Sequence, residues 1–474
     1  MSKLQDGAVD IEIPALAASS KYSTRQVFSS EEERLLEEYL INCSRMHYGL
    51  TYKQFRDFAY SYALVLRKTL PEGWNHAETA GIDWMKGFMK RHPQLSLRKP
   101  ENTSLARNIS FNRKNVETFY NNLETLMEKY KFPDNRILNL DESGVTTVLQ
   151  SPKVIAPAGA KQVGQCVSAE RGELVTFCGI VTASGSALPP VYVYPRVHFK
   201  DLFLYGAPRG SKGFANRSGW MTQEVFLEVL KHILVQTSSS KENPLLIVLD
   251  NHESHISLDA IIFCRENGIV LLTFPPHTSH RLQPLDVAVF GPFKSHCRSV
   301  FNKWISENPG KQIAIHNIAH LTASAFDEAF SRKNIIASFK KTGITPFNRS
   351  TFKEEDFLGS LPTDQPLVET PQQENTSEKT VGAETMAGCS TENNEEINLQ
   401  KTHDNGGSVT PARNSEKKDF PTPEDIRPYP RAERRGDSKG KGRKKGKCCI
   451  LTDTPEKNRI EAELLKRKIC CPIN

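Results

Sequence analysis

No stretch of this 474-residue sequence stays apolar for anything near the roughly 20 residues that a membrane-crossing helix requires, so a helical membrane span is not expected. Its first residues lack the basic, apolar and small-residue order of a secretion signal. Ten cysteines are present, but none forms a CxxC pair or joins histidines at zinc-finger spacing. Free thiols in a reduced, intracellular protein are the simplest reading. The doublets Cys448–Cys449 and Cys470–Cys471 leave a metal site as the alternative. Neither GxGxxG nor GxxxxGK[ST] occurs, which removes support for a nucleotide cofactor or a phosphate-cradling loop. No internal repeat appears, so a solenoid is not expected.

What is present divides by composition. Residues 1–24 are small and polar and read as a loose tail. Residues 25–100 hold a helical unit. Ser29 and Ser30 precede three acids, as at a helix start, and Thr51 caps a second helix. Pro71-Glu-Gly73 breaks that helix, and a third runs from about Thr79 to Arg91. Three short helices joined by tight turns suggest a helix-turn-helix unit. From Ala80 to Lys114 eight bases face two acids, a net of +6. Lys86 and Lys90 share a helix face beside Arg91, with Arg98 and Lys99 following. A solvated basic face and a DNA-phosphate surface are both compatible with this pattern. Trp84 and Phe88 read as core. Residues 101–133 carry another amphipathic helix and read as a connector.

From 134 to 350 the pattern changes to strands alternating with helices. Arg136–Asp141 is an apolar run ending on an acid, Val154-Ile155 is a weak strand candidate, and 174–182 and 191–194 are strong ones. A helix follows Thr222. Then Leu245–Leu249, five apolar residues, run directly into Asp250. Such a run reads as a strand buried on both faces, with its acid at the C-terminal end where open sheets place ligands. A helix over 257–266, a strand over 269–274 and a helix from Leu282 to about Ile305 come next, and Ile313–Phe339 is helical. A meander followed by alternating helices and strands is a mixed α/β sheet with helices on its faces. Residues 351–474 read as a mostly disordered tail, poor in apolar residues from about Leu361 to Asp425. Between Arg427 and Lys447 ten bases face two acids. Lys441, Arg443, Lys444, Lys445 and Lys447 fit a nuclear import signal, a nonspecific nucleic-acid tail or a plain solubilising tail. The last residues form a short helix.

Asp141 and Asp250 thus end buried strands, and Asp286 starts a helix with 35 residues between it and Asp250. If the two strands are neighbours, the three carboxylates converge and repel. Divalent cations resolve that conflict, and hard oxygen donors suit Mg²⁺ or Mn²⁺. Each acid also has a plainer reading: Asp286 as a first-turn acid, Asp141 as a turn acid before Gly144, Asp250 as a cap. His252, His255, His277 and His280 crowd the same region. Their spacing is wrong for HExxH, so they read as donors to a carboxylate or phosphate, with a zinc hydrolase as the alternative.

Asn139-Leu-Asp-Glu-Ser-Gly144, Leu249-Asp-Asn-His-Glu-Ser-His255, Pro275-Pro-His-Thr-Ser-His280 and Leu282-Gln-Pro-Leu-Asp286 resemble the signatures of pogo/Tigger-type DDE transposases of the mariner superfamily. Gly81–Pro93 with Leu95–Arg98 resembles a centromere-protein-B-type helix-turn-helix, and Thr342–Asn348 is also similar to the family. The resemblance covers roughly residues 25–350. It implies an RNase H-like (integrase-like) catalytic domain in which Asp141, Asp250 and Asp286 hold two Mg²⁺ or Mn²⁺ ions, nick DNA and direct the freed hydroxyl at target DNA. Double-stranded DNA is the implied partner, with a homodimer compatible, in the nucleus. Proteins of this type often carry a further N-terminal helix-turn-helix, for which residues 1–24 are too short, so recognition of element ends is expected to be impaired. A host-adopted DNA-binding protein that keeps the fold without the reaction is the alternative.

Overall fold

A computed structural model describes residues 26–148, 154–164, 167, 169–363, 420–432 and 447–470. They form two compact units.

In the first unit, Ser29 and Glu32 exchange backbone-to-side-chain hydrogen bonds (2.8 and 3.3 Å) at the head of α1 (Ser30–Arg45). Thr51 and Gln54 do the same for α2 (Tyr52–Val65). Pro71 does not break the chain but precedes a short helix, α3 (Glu72–Ala77), whose Trp74 is buried. The expected third helix therefore arrives as α3 and then α4 (Ile82–Arg91). Leu36, Tyr39, Phe55, Phe58, Tyr62 and Phe88 fill the core, and Trp84 packs partly buried against it. Two acids of α1 are buried and paired, Glu32 with Lys68 (2.7 Å) and Glu33 with Arg91 (2.7 Å). The tail contributes here: Tyr429 stacks on Tyr39 with ring centres 5.3 Å apart, and the Tyr39 hydroxyl donates to the Arg427 carbonyl (2.9 Å). Residues 420–430, read from composition as tail, are part of this unit's core.

The second unit begins with α5 (Leu105–Ser110) and α6 (Arg113–Tyr130). The sheet comprises β1 (Ile137–Thr146), β2 (Leu174–Thr182), β3 (Val191–Pro195), β4 (Lys212–Asn216), β5 (Leu245–Leu249) and β6 (Ile269–Thr273). Their order is β4-β3-β2-β1-β5-β6. β1, β2 and β3 form the expected antiparallel meander, whereas β5 and β6 extend it in parallel on the far side of β1. β4, parallel to β3, was not foreseen. Its half-buried Lys-Gly-Phe-Ala-Asn lacks the alternation that marks a strand. Val154 and Ile155 are exposed and form no strand.

α7 (Gln223–Thr237), capped by Thr222, and α8 (Leu258–Glu266), capped by Ser257, cover one face. The other is covered by α6 and by helices that follow β6: α9 (Ser279–Leu282), α10 (Phe290–Glu307), α11 (Ile318–Ala329) and α12 (Arg332–Lys341). α11 and α12 divide the expected 313–339 helix, because Ser331 is extended and caps a new helix. All five side chains of β5 are fully buried, each contributing roughly 1.5–3 kcal/mol. Nor is α6 a mere connector: Phe119, Tyr120, Leu123 and Leu126 belong to the sheet's core.

The C-terminal segment adds a final piece. Thr273 N–H donates to the Cys449 carbonyl and Leu451 N–H to the Leu271 carbonyl, both at 3.0 Å, so residues 449–451 pair along β6. Leu451 is fully buried, and the helix Thr454–Cys470 follows. A paired edge is shielded from association with other strands. Lys441, Arg443, Lys444 and Lys445 lie outside the described residues, as do all of residues 433–446.

Candidate active site

The parallel pairing of β1 with β5 aligns Asn139 with Val248. Two residues further along each strand stand Asp141 and Asp250, so the register brings both acids to the same level on adjacent strands. Asp286 arrives by a different route. The helix expected from Leu282 onward is interrupted, because Pro284 has no N–H to give. Leu285–Val289 forms a π-helical turn in which Phe290 N–H donates to the Leu285 carbonyl. Asp286 is the second residue of that turn, ahead of α10.

Asn139 ties these pieces together. Its side chain is fully buried, donates to the Val248 carbonyl (2.9 Å) and accepts from Leu285 N–H (2.9 Å). Thus one amide spans β1, the end of β5 and the residue before Asp286. No positional rule singles out Asn139. The usable signal was a neutral polar residue inside an otherwise apolar strand, which is costly unless both its amide atoms are bonded.

The charges interact strongly. Burial raises the pKa of Asp141, and the negative charges of Asp286, Glu142 and Asp250 raise it further. Asp286 is raised as well, chiefly by burial and also by Asp250, with Lys294 and Arg107 opposing. Asp250 behaves differently. Burial pushes it up, but His255 outweighs this through a hydrogen bond and its charge, with His252 helping, and the carboxyl ends lower than usual. The His255 Nδ1 lies 2.8 Å from Asp250 Oδ1 and its Nε2 3.1 Å from Glu142 Oε1. This ring is fully buried against Phe226. Burial alone would favour neutral imidazole, yet the two carboxylates prevail and raise its pKa to about 10. Asp250 Oδ1 also accepts from His252 N–H (3.0 Å), a local turn contact; the helix that follows is capped by Ser257, so Asp250 is not its cap.

Gln283 and Ser143 complete the surroundings. Both are buried, and neither the Gln283 amide nor the Ser143 hydroxyl has a hydrogen-bond partner. Gln283 lies close enough to Asp141 to favour its ionised form. Among the described residues no three His, Cys, Asp or Glu side chains are gathered tightly enough to hold a metal ion. In its donor chemistry the cluster nevertheless fits a hard divalent cation: carboxylate oxygens, a surplus of negative charge on a buried acid, and an unpaired buried amide beside it. The histidines do not form a zinc set. His255 is engaged by Asp250 and Glu142, while His280 packs edge-on against Phe111 and is lowered to about 4, mainly by burial and then by Arg107 and Arg281. The Cys448 thiol donates to the Thr273 carbonyl (2.9 Å). Burial pushes Cys448 up to about 12 and Cys449 to about 11, which favours the thiol form of both. Cys471 lies outside the described residues.

The candidate DNA-binding residues separate. Lys86 and Lys90 are exposed on α4, and Lys86 has only a loose, exposed neighbour in Asp83 at 3.5 Å. Arg91 is committed inside its own unit, because both its Nε and Nη2 donate to the buried Glu33 carboxylate. It is therefore removed from the set of phosphate contacts. Arg98 and Lys99 are exposed in the segment after α4.

An antiparallel β1–β2–β3 followed by parallel β5 and β6, with acids on the two central strands, is an RNase H-like arrangement. Residues 172–339 match the family model of the DDE superfamily endonuclease. That match lies within the second unit. Among curated proteins, the chain is similar to pogo transposable elements. The mouse "Pogo transposable element with KRAB domain" is 22% identical over 231 residues, 48% of this chain and 37% of that protein. Its human counterpart is 22% identical over 288 residues, 58% of this chain and 45% of that protein. A "MFS-type transporter clz9" of Cochliobolus lunatus is 30% identical over 236 residues, 46% of this chain and 24% of that protein. The matched regions thus span less than half the length of each of these relatives. No helix among the described residues is long and apolar enough to cross a membrane. Among solved structures, the Mos1 strand transfer complex is 13% identical with a TM-score of 0.37, covering 63% of this chain and 78% of that one. The Mos1 mariner paired end complex with Mn is also 13% identical, with a TM-score of 0.36, covering 69% and 88%.

Proposed function

We propose that the chain is a divalent-metal-dependent DNA endonuclease and strand-transfer protein in which Asp141, Asp250 and Asp286 are the catalytic acids. The observation that carries this is the β1–β5 register, which brings Asp141, inside β1 rather than at its end because β1 runs on to Thr146, level with Asp250 just past the end of β5, with Asn139 drawing in the turn that bears the third acid. Two Mg²⁺ or Mn²⁺ ions, when bound there, would supply activation of a water and charge stabilisation at phosphorus. Asp141, Asp250 and Asp286 would hold them through carboxylate oxygens. Holding Asp250 from behind is the work of His255, itself braced on Glu142, which favours the ionised form of that carboxylate, while burial and mutual repulsion raise Asp141 and Asp286 until a cation offsets them. Gln283, with both amide atoms unpaired, offers a donor and an acceptor beside Asp141.

Lys86 and Lys90 on α4, with Arg98 and Lys99, supply phosphate contacts to double-stranded DNA. Action in the nucleus and as a homodimer completes the reading. The experiment is nicking of supercoiled plasmid by the full chain in Mg²⁺ or Mn²⁺, compared with Asp141→Asn, Asp250→Asn and Asp286→Asn. Each substitution is expected to abolish metal-dependent nicking while DNA remains bound in EDTA. Nicking that survives any of the three would remove that acid from the catalytic set.

A further inference from the structure

Beyond the acids, the same face of β1 continues through Ser143 to Val145, and there the sheet and α10 part slightly. They enclose a cavity of about 300 Å³, at the lower end of sizes that accept a small ligand. Val145, Val148, Phe293 and Cys297 give it apolar walls, and Lys294 and Arg298 line it as well. The spacing explains this division. Phe293 and Cys297 lie four apart and are buried, while Lys294 and Arg298, also four apart, are exposed on the adjoining stripe of α10. Lys294 is near enough to Asp286 to oppose its protonation, so the cationic side of the cavity adjoins the acids. Between acids and cavity sits the Ser143 hydroxyl, buried and without a partner.

From this we infer that the cavity is a subsite for one unstacked nucleotide of the DNA strand, its base or sugar against Val145, Val148 and Phe293 and its phosphate on Lys294 and Arg298. The inference rests on the nuclease reading for its choice of ligand. An occupant needs a compact apolar body, an anionic group at its edge and a path toward the acids, and a nucleotide has all three. A base still paired and stacked in a duplex cannot enter such a cavity, so the site selects single-stranded or nicked DNA.

The test is binding, in EDTA, of a blunt duplex and of the same duplex carrying a five-thymidine overhang. Full-length protein is expected to prefer the overhang by about five-fold or more. Lys294→Glu/Arg298→Glu is expected to erase the preference and lower the salt dependence of overhang binding by about 1.4, from two contacts of about 0.7 each. Val148→Trp, at a half-buried position that tolerates a larger side chain, is expected to erase the preference with the cations intact. Equal binding of both DNAs by the unaltered protein, or a preference that persists in the variants, would overturn the subsite. Plasmid nicking in Mg²⁺ separates the two readings: nicking without overhang preference removes only the subsite, and overhang preference without nicking removes only the nuclease.

Discussion

Replacing Asn139 with alanine would cut a side chain that bonds both β5 and the turn that carries Asp286. The Val248 carbonyl and the Leu285 N–H would each lose a partner in a fully buried setting. An unsatisfied buried group costs about 1–3 kcal/mol, so two give roughly 2–6 kcal/mol. At about 2–4 °C per kcal/mol for a domain of this order, the melting temperature of the second unit should fall by roughly 4–24 °C. A stability effect alone would not separate a tether from ordinary packing. Asn139→Asp makes that separation. It keeps the acceptor for Leu285 N–H, loses the donor to Val248, and adds a carboxyl two residues from Asp141 on the same face. Added negative charge favours protonation of the neighbouring acids, which are already raised by burial and by one another. The acid limb of the pH–rate profile for nicking should therefore move to higher pH in Asn139→Asp, and higher Mn²⁺ should partly restore the rate. The measurements are scanning calorimetry of each variant and plasmid nicking between pH 5 and 9. If Asn139→Ala melts within about 1 °C of the parent, or if the acid limb of Asn139→Asp stays where it was, the amide is not what holds the three segments together.

Two further outcomes follow from the charges. His255 has its pKa raised to about 10 in the folded state by Glu142 and Asp250 despite its burial, so its contribution to stability is full below the unfolded value near 6.5 and is lost as pH rises toward 10. Asp250 is lowered, so its contribution is present above its unfolded value and is lost as pH falls through the folded one. His255→Gln should flatten the alkaline fall of the melting temperature; a slope equal to the parent's would exclude the ion pair as its source. In the first unit, Arg91→Ala should destabilise by roughly 1–3 kcal/mol, because it strands the buried Glu33, with the figure discounted for a guanidinium that is about a third exposed. Lys86→Ala and Lys90→Ala should leave stability unchanged but lower the salt slope of duplex binding by about 0.9 each. The reverse pattern in denaturation and salt titrations would reinstate Arg91 as a phosphate contact.

Legibility in the sequence followed how local the determining physics was. β5 and β6 are continuous apolar runs, α7 and α8 begin on Thr222 and Ser257, and each element lies where its pattern indicates. A cap bonds to an N–H three residues on, and a buried run needs no knowledge of its neighbours. Elements that depend on distant partners were not legible. Lys212–Asn216 becomes a strand because β3 offers an edge to it. Residues 420–430 and 449–451 look like tail because each buries only a few side chains, and those only against helices or a strand far away in sequence. Even Pro71, a helix breaker in isolation, serves as a helix start once Trp74 has a core to enter.

The site divides along the same line. Asp141 and Asp250 are visible because an acid directly following a buried apolar run is anomalous in any fold, although β1 continues five residues past Asp141. Their supports are not, because Asn139, His255 and Gln283 acquire meaning only from the register that brings β1, β5 and the π-turn together. That dependence carries a physical consequence. Asp141 and Asp250 are fixed by the sheet itself, whereas Asp286 sits on a turn joined to β1 through the Leu285–Asn139 bond. Of the three acids, Asp286 is thus the one whose position depends most on a single side chain, and a change at Asn139 should act first through Asp286.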